Sequence, residues 1–177
     1  MNDSFLVIAI TRPDFFSGEA DLINEILGKE KARLVHIRKP GSSKEEMIKL
    51  INEIDSENHP KLKLHDHFEL LNKFDLGGIH LNSRNRIPLS QAKTISISIH
   101  SYDEIGETEN YDYFFISPVF DSISKEGYKA AFDLKDLSER IKNKNAIALG
   151  GVTPDKFPFL SACGFKGAAL LGHFFPS

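Results

Sequence analysis

The sequence predicts one parallel β/α barrel. Three observations carry this: eight short, nearly continuous apolar runs, helical patterns between them, and no glycine-rich turn after the first run. Runs of that kind read as strands covered on both faces, and strand–helix alternation specifies a parallel sheet with right-handed crossovers. Eight such strands close a barrel, the TIM (β/α)8 architecture. An open doubly wound sheet would carry G-x-G-x-x-G after its first strand, where this chain has Thr11-Arg12-Pro13-Asp14.

The runs, in order, are Phe5 to Thr11, Ala32 to Arg38, Lys61 to His65, Gly78 to Leu81, Thr94 to His100, Tyr113 to Val119, Ala146 to Leu149 and Gly167 to Leu171. The clearest helix spans Ser43 to Glu57, where Met47, Ile48, Leu50, Ile51 and Ile54 form one stripe opened by Ser42 or Ser43 as a cap. Weaker stripes occupy Asp21 to Leu27, Phe68 to Phe74 and Leu134 to Ile141, and Asp155 to Ala162 is interrupted by Pro158. At 177 residues the chain is shorter than a minimal barrel of roughly 200. No helical pattern follows the last strand before Ser177, so the eighth helix is expected to be missing or reduced, through truncation or because a partner subunit covers that strand. With no linker or low-complexity tract, residues 1–177 read as a single domain.

Charge narrows the partners. The 22 basic and 25 acidic residues are interspersed and leave a net charge of −3, so no field gathers nucleic acid or anionic membrane, and a small molecule is the expected partner. The lone Cys163 and the lack of a basic, then apolar, opening segment point to the cytoplasm. No apolar run approaches the roughly 18 residues that span a bilayer.

Barrels place their chemistry at strand C-termini. His36, His65, His67, His80, His100 and His173 lie at or just beyond predicted strand ends, with only His59 in a surface loop. As a group they suggest a site; singly, His36, His67 and His80 read equally as core histidines bonded to carbonyls. His65-Asp66-His67 offers an H-x-H metal pair but no third ligand at fixed spacing. Asp66 itself suits either a hard cation or a helix cap. Gly150-Gly151, ahead of a helix opened by Thr153-Pro154-Asp155, allow backbone amides to approach an anion, and Gly172 closes the eighth strand where barrels commonly bind phosphate. A plain tight turn is the alternative. Ser117 to Gly127, with Ser122, Ser124 and Lys125, suits a mobile phosphate-covering loop or an ordinary polar one.

Four segments, in this order, resemble the superfamily of thiamine-phosphate synthase and its relative the thiazole tautomerase. They are Val35-His36-Ile37-Arg38-Lys39 with the Ser42-Ser43 helix, Ile97-Ser98-Ile99-His100-Ser101, Ser117-Pro118-Val119-Phe120 through Lys125, and Leu149-Gly150-Gly151-Val152-Thr153 with Gly164-Phe165-Lys166-Gly167-Ala168. The resemblance covers nearly the whole chain and implies the same barrel. It also implies a substrate, hydroxyethylthiazole phosphate or its carboxylate, with the phosphate at Gly150-Gly151 and Gly172. In the synthase a hydroxymethylpyrimidine diphosphate, held through magnesium, loses diphosphate to give a pyrimidine methyl cation that the thiazole nitrogen captures. Arg38, Asp66, Ser122, Ser124 and Lys125 match that machinery.

The departures favour the other branch. The synthase has glutamine at His36, lysine at Pro40, asparagine at His65, and a second aspartate where Arg84 or Asn85 follows the fourth strand. The His-Ile-Arg segment resembles the tautomerase, whose histidine matching His100 shuttles a proton with no cofactor required. The first expectation is therefore a tautomerase-like enzyme with His100, Arg38 and Lys125 catalytic. His36, Ser98, Ser122, Ser124, Gly150, Gly151 and Gly172 would bind substrate and phosphate. A synthase with magnesium on Asp66 comes second, a non-catalytic thiazole phosphate-binding relative third, and a zinc hydrolase using His65, His67 and His100 last. A homodimer covering the exposed barrel end is consistent with the short C-terminus.

Overall fold

A computed structural model describes residues 5–121 and 132–175. Its strands are β1 (Leu6–Ile10), β2 (Leu34–Ile37), β3 (Leu62–Leu64), β4 (Gly78–Leu81), β5 (Ile95–Ile99), β6 (Tyr113–Ile116), β7 (Ala146–Leu149) and β8 (Gly167–Leu170). They follow one another in sequence order as a closed barrel, with β1–β2, β2–β3, β3–β4, β5–β6, β6–β7 and β7–β8 paired in parallel. The predicted fold class holds. Among the described residues β8 is followed by one turn, in which the Phe174 and Phe175 N–H groups donate to the Leu171 carbonyl at 3.2 and 3.0 Å.

The α-helices are α1 (Glu19–Gly28), α2 (Lys44–Glu53), α3 (Leu134–Arg140) and α4 (Phe157–Ala162), with 3-10 turns at Ser56–Lys61, Phe68–Asn72, Asp103–Asn110 and Pro154–Lys156. Several are shorter than the periodicity suggests. Ser43 and Glu46 form the reciprocal capping box that opens α2, but Ile54 turns extended and ends it. His59, expected in a surface loop, is instead buried, and its Nε2–H donates to the Ile51 and Ile54 carbonyls at 3.0 and 3.2 Å. It adds a second donor to the Ile51 carbonyl, which already accepts the Ile54 N–H, and caps the Ile54 carbonyl at the end of α2. Pro158 does not interrupt α4; it sits in the first turn, where its missing N–H costs nothing.

Two compact units divide the chain. One, the β1–β4 unit, comprises residues 8–95 and 171–177; the other, the β5–β8 unit, comprises residues 1–7 and 96–170. In the first, α1 buries Ile23, Ile26 and Leu27 and α2 buries Met47, Leu50 and Ile51, beside the fully buried Ile8, Val35, Ile37, Leu62 and Leu64. In the second, Phe114, Phe115, Ile116, Leu137, Ile147 and Leu160 make the core. No helix among the described residues is long and apolar enough to cross a membrane.

Candidate active site

In the β1–β4 unit, strand register sets the chemistry. His36 pairs with Lys63 and Lys63 with Gly78, so two residues further along, on the same face, His65 follows Lys63 and His80 follows Gly78. The three imidazoles meet there. His36 Nδ1 and His65 Nε2 share a hydrogen bond of 2.9 Å, His65 stacks on His80 with ring centroids 4.3 Å apart, and His36 stands edge-on to both. Burial holds all three below the usual histidine range, with the neighbouring histidines and then Lys63 at His36, and Arg38 and Arg84 at His65, adding to the effect; His80 is lowered to about 3. All three are therefore neutral near pH 7.

The expected substrate-binding His36 is thus a fully buried member of this cluster. The H-x-H pairing of His65 with His67 is corrected. His67 takes a left-handed φ of 55°, which breaks the strand alternation, and its Nε2–H donates to the Ser42 carbonyl at 2.8 Å. Neither does Asp66 cap the following turn, whose cap position is His67.

Arg38 and Asp66 lie beyond the ends of β2 and β3. Arg84 spans Asp66 with its Nε and Nη2, each 3.2 Å from a carboxylate oxygen, and Asn85 Nδ2 adds a bond of 2.9 Å. Their turn is fixed locally. Asn82 and Asn85 exchange backbone hydrogen bonds, Asn82 Oδ1 accepts from the Arg84 N–H, and both asparagine amides donate to the His65 carbonyl. Arg38, half-buried, donates its backbone N–H to Thr11 Oγ1, while its guanidinium makes no hydrogen bond among the described residues. Burial and then the charge of Arg84 lower its pKa from the ordinary value, against the pull of Asp66. An arginine stays charged even so. Two guanidinium groups beside one carboxylate leave a surplus positive charge.

Lys39, next in sequence, has no such freedom. It is fully buried, with Nζ 2.6 and 2.8 Å from the Glu19 oxygens and 2.7 Å from the Asp14 carbonyl, over the Phe15 ring. That buried pair ties the β1–α1 loop to the end of β2.

The resemblance implies magnesium on Asp66 for a synthase, and the donor set does not fit it. Both Asp66 oxygens are engaged by Arg84 and Asn85, and a dication there would face the guanidinium. Among the described residues, the one group of three or more histidine, cysteine or acidic donors close enough to share an ion is His36, His65 and His80.

In the β5–β8 unit, His100 is exposed just beyond β5. Its backbone N–H donates to Glu104 at 2.8 Å, and its Nδ1 lies 2.9 Å from the Ser117 carbonyl. A carbonyl only accepts, so Nδ1 carries the proton and Nε2 of the neutral ring is left as a base. Ser98 is half-buried in β5, in register with Phe115. Gly150 and Gly151 take left-handed φ values of 91° and 63°. A Cβ at Gly150 would stand 2.9 Å from Pro118 Cα, and one at Gly151 would stand 2.3 Å from the Asp121 carbonyl. Both positions exclude a side chain, and the unit brings His100, Ser117, Pro118 and the paired glycines into one neighbourhood.

The helix expected to polarise the glycine loop is only a 3-10 turn followed by the six-residue α4. Lys156, which the sequence reading passed over, supplies charge instead: its Nζ donates to the Gly151 carbonyl and rides over the Phe120 ring. Gly172 is exposed, with open space where a Cβ would be built. Ser122, Ser124 and Lys125 lie outside the described residues. A cavity of about 260 Å³ near Tyr111 and Asn145, at the N-terminal ends of β6 and β7, is at the wrong end of those strands for barrel chemistry.

A closed parallel barrel with its charged and glycine-rich groups at strand C-termini defines a TIM-barrel protein of the kind whose chemistry sits at that end. Residues 7–174 match the family model described as thiamine monophosphate synthase, and the chain belongs to that family. A thiamine-phosphate synthase of Syntrophomonas wolfei is 24% identical over 97% of this chain and 88% of its own length. One from Leuconostoc citreum is 23% identical over 74% of the chain, and there the match spans 66% of the relative's length. The crystal structure of a thiamine phosphate pyrophosphorylase from Bacteroides thetaiotaomicron superposes with a TM-score of 0.80 at 33% identity, covering 95% of this chain and 83% of the other.

Proposed function

We propose that this protein is a thiamine-phosphate synthase, joining a hydroxymethylpyrimidine diphosphate to a hydroxyethylthiazole phosphate. The observation that carries the reading is the surplus guanidinium charge of Arg38 and Arg84 around Asp66. In the reaction the methylene C–O bond breaks, diphosphate leaves with the electron pair, and the thiazole nitrogen forms the new C–N bond. The leaving group gathers negative charge in that step, and the two guanidinium groups stabilise it, Arg84 already held in place. Arg84 is held for the task by Asp66 and by the Asn82–Asn85 turn. The names of the relatives support the synthase ahead of the tautomerase that the His-Ile-Arg segment suggested.

In the β5–β8 unit, Gly150 and Gly151 present backbone to the thiazole phosphate, and Lys156 adds a cation. One observation favours a second reading, in which the thiazole carboxylate is isomerised: His100 offers a free Nε2 base, oriented by Ser117. Steady-state assays with both substrates, with and without chelator, test the choice. Thiamine phosphate formed in the presence of chelator is the expected result; isomerisation of the carboxylate alone would transfer the assignment to the second reading.

A further inference from the structure

We propose that His36, His65 and His80 form a binding site for one borderline transition-metal ion, zinc(II) in the first instance. The site adjoins the diphosphate groups, since the His65 carbonyl accepts from Asn82 and Asn85 and Asp66 follows it in sequence, but it does not depend on the synthase reading. Three neutral imidazoles from consecutive strands converge on the same face, each with one ring nitrogen within 4.8 Å of the others. Nitrogen-only donor sets select zinc, cobalt, nickel or copper over magnesium, and three histidines with an open fourth position are an established zinc arrangement.

The geometry is close to what a metal needs. Tetrahedral zinc with Zn–N bonds near 2.0–2.1 Å spaces its ligand nitrogens at about 3.3 Å. The His36–His65 pair, at 2.9 Å, has only to open slightly, and the wider pairs close by small ring rotations. His36 and His80 are sealed at 0% exposure and His65 keeps 5%, so the ion enters past His65. Lys63, on the same face, turns its ammonium onto the Gly77 carbonyl and Thr94 hydroxyl. Glutamine at 36 and asparagine at 65 keep a polar amide in place of each ring while removing the imidazole nitrogen that would bind the ion.

The test uses untagged full-length protein, stripped with chelator, dialysed and titrated with cobalt(II). One cobalt per chain with intense visible bands of a tetrahedral nitrogen site is expected, displaced by one equivalent of zinc. His36→Gln and His65→Asn each weaken cobalt affinity by about 100-fold or more, losing a direct ligand where even supporting partners cost 10–100-fold. The exposed His173→Gln leaves affinity unchanged. Far-UV circular dichroism and melting curves establish that each variant is folded, and if one is not, the other decides. A weak octahedral spectrum from the parent protein, or tight binding unaltered in a folded variant, overturns the proposal.

Discussion

Arg84 straddles Asp66, its Nε and Nη2 each 3.2 Å from a carboxylate oxygen. The aspartate thus orients a cation rather than standing open to one. Arg84→Ala is expected to lower kcat/KM for the pyrimidine diphosphate by roughly 100-fold, the scale of losing one fixed charge-stabilising donor. It should also make turnover depend more on magnesium, because Asp66 is released. Steady-state kinetics across a magnesium series measure both effects; full activity with unchanged metal response would count against the role.

Gly150→Ala places a methyl 2.9 Å from Pro118 Cα on a backbone at φ 91°. The strained conformation costs on the order of 1–3 kcal/mol, and a loop that relieves the strain loses its approach to the phosphate. Calorimetric titration with thiazole phosphate is expected to show weakened binding together with a lowered Tm.

The Lys39–Glu19 pair is a structural prediction. Burial pushes the Lys39 pKa down and that of Glu19 up, while each offsets the other. Lys39→Ala leaves a carboxylate buried at 2% exposure, and breaking such a pair costs about 3–5 kcal/mol. Urea unfolding of Lys39→Ala should show that loss, and the double change Lys39→Met with Glu19→Leu should recover most of it.

The histidine cluster sets the acid limit of stability. Above the unfolded histidine pKa of about 6.5 neither state binds these protons, and their contribution is complete. As pH falls below that value the unfolded chain takes up protons that the folded cluster refuses, so stability is lost toward acid, with His80 refusing until about 3. With up to three protons involved, the slope approaches about 4 kcal/mol per pH unit. Urea unfolding in chelator between about pH 7 and 5 measures it; His65→Asn should flatten the slope by about one proton, and a pH-independent midpoint would contradict the account.

The barrel was legible because continuous apolar runs have few other solutions, and the Gly150-Gly151 turn because only glycine takes its two left-handed positions without cost. Helix ends were less so: Ile54 leaves α2 extended although its apolar character continues the stripe. The meeting of His36, His65 and His80 depends on register between three strands, which no local pattern encodes. His67 misled because alternation presumes an extended backbone, and its positive φ turns the ring toward Ser42. Nothing near Lys39 in the sequence marks its partner, and only the folded β1–α1 loop reveals that Glu19 holds it.

The most direct measurement follows thiamine phosphate by chromatography after purified protein meets both substrates, the pyrimidine diphosphate and the thiazole phosphate. Steady product formation, lost together in Arg84→Ala and Gly150→Ala, is the predicted result. No product from a well-folded parent protein that binds both substrates would contradict it.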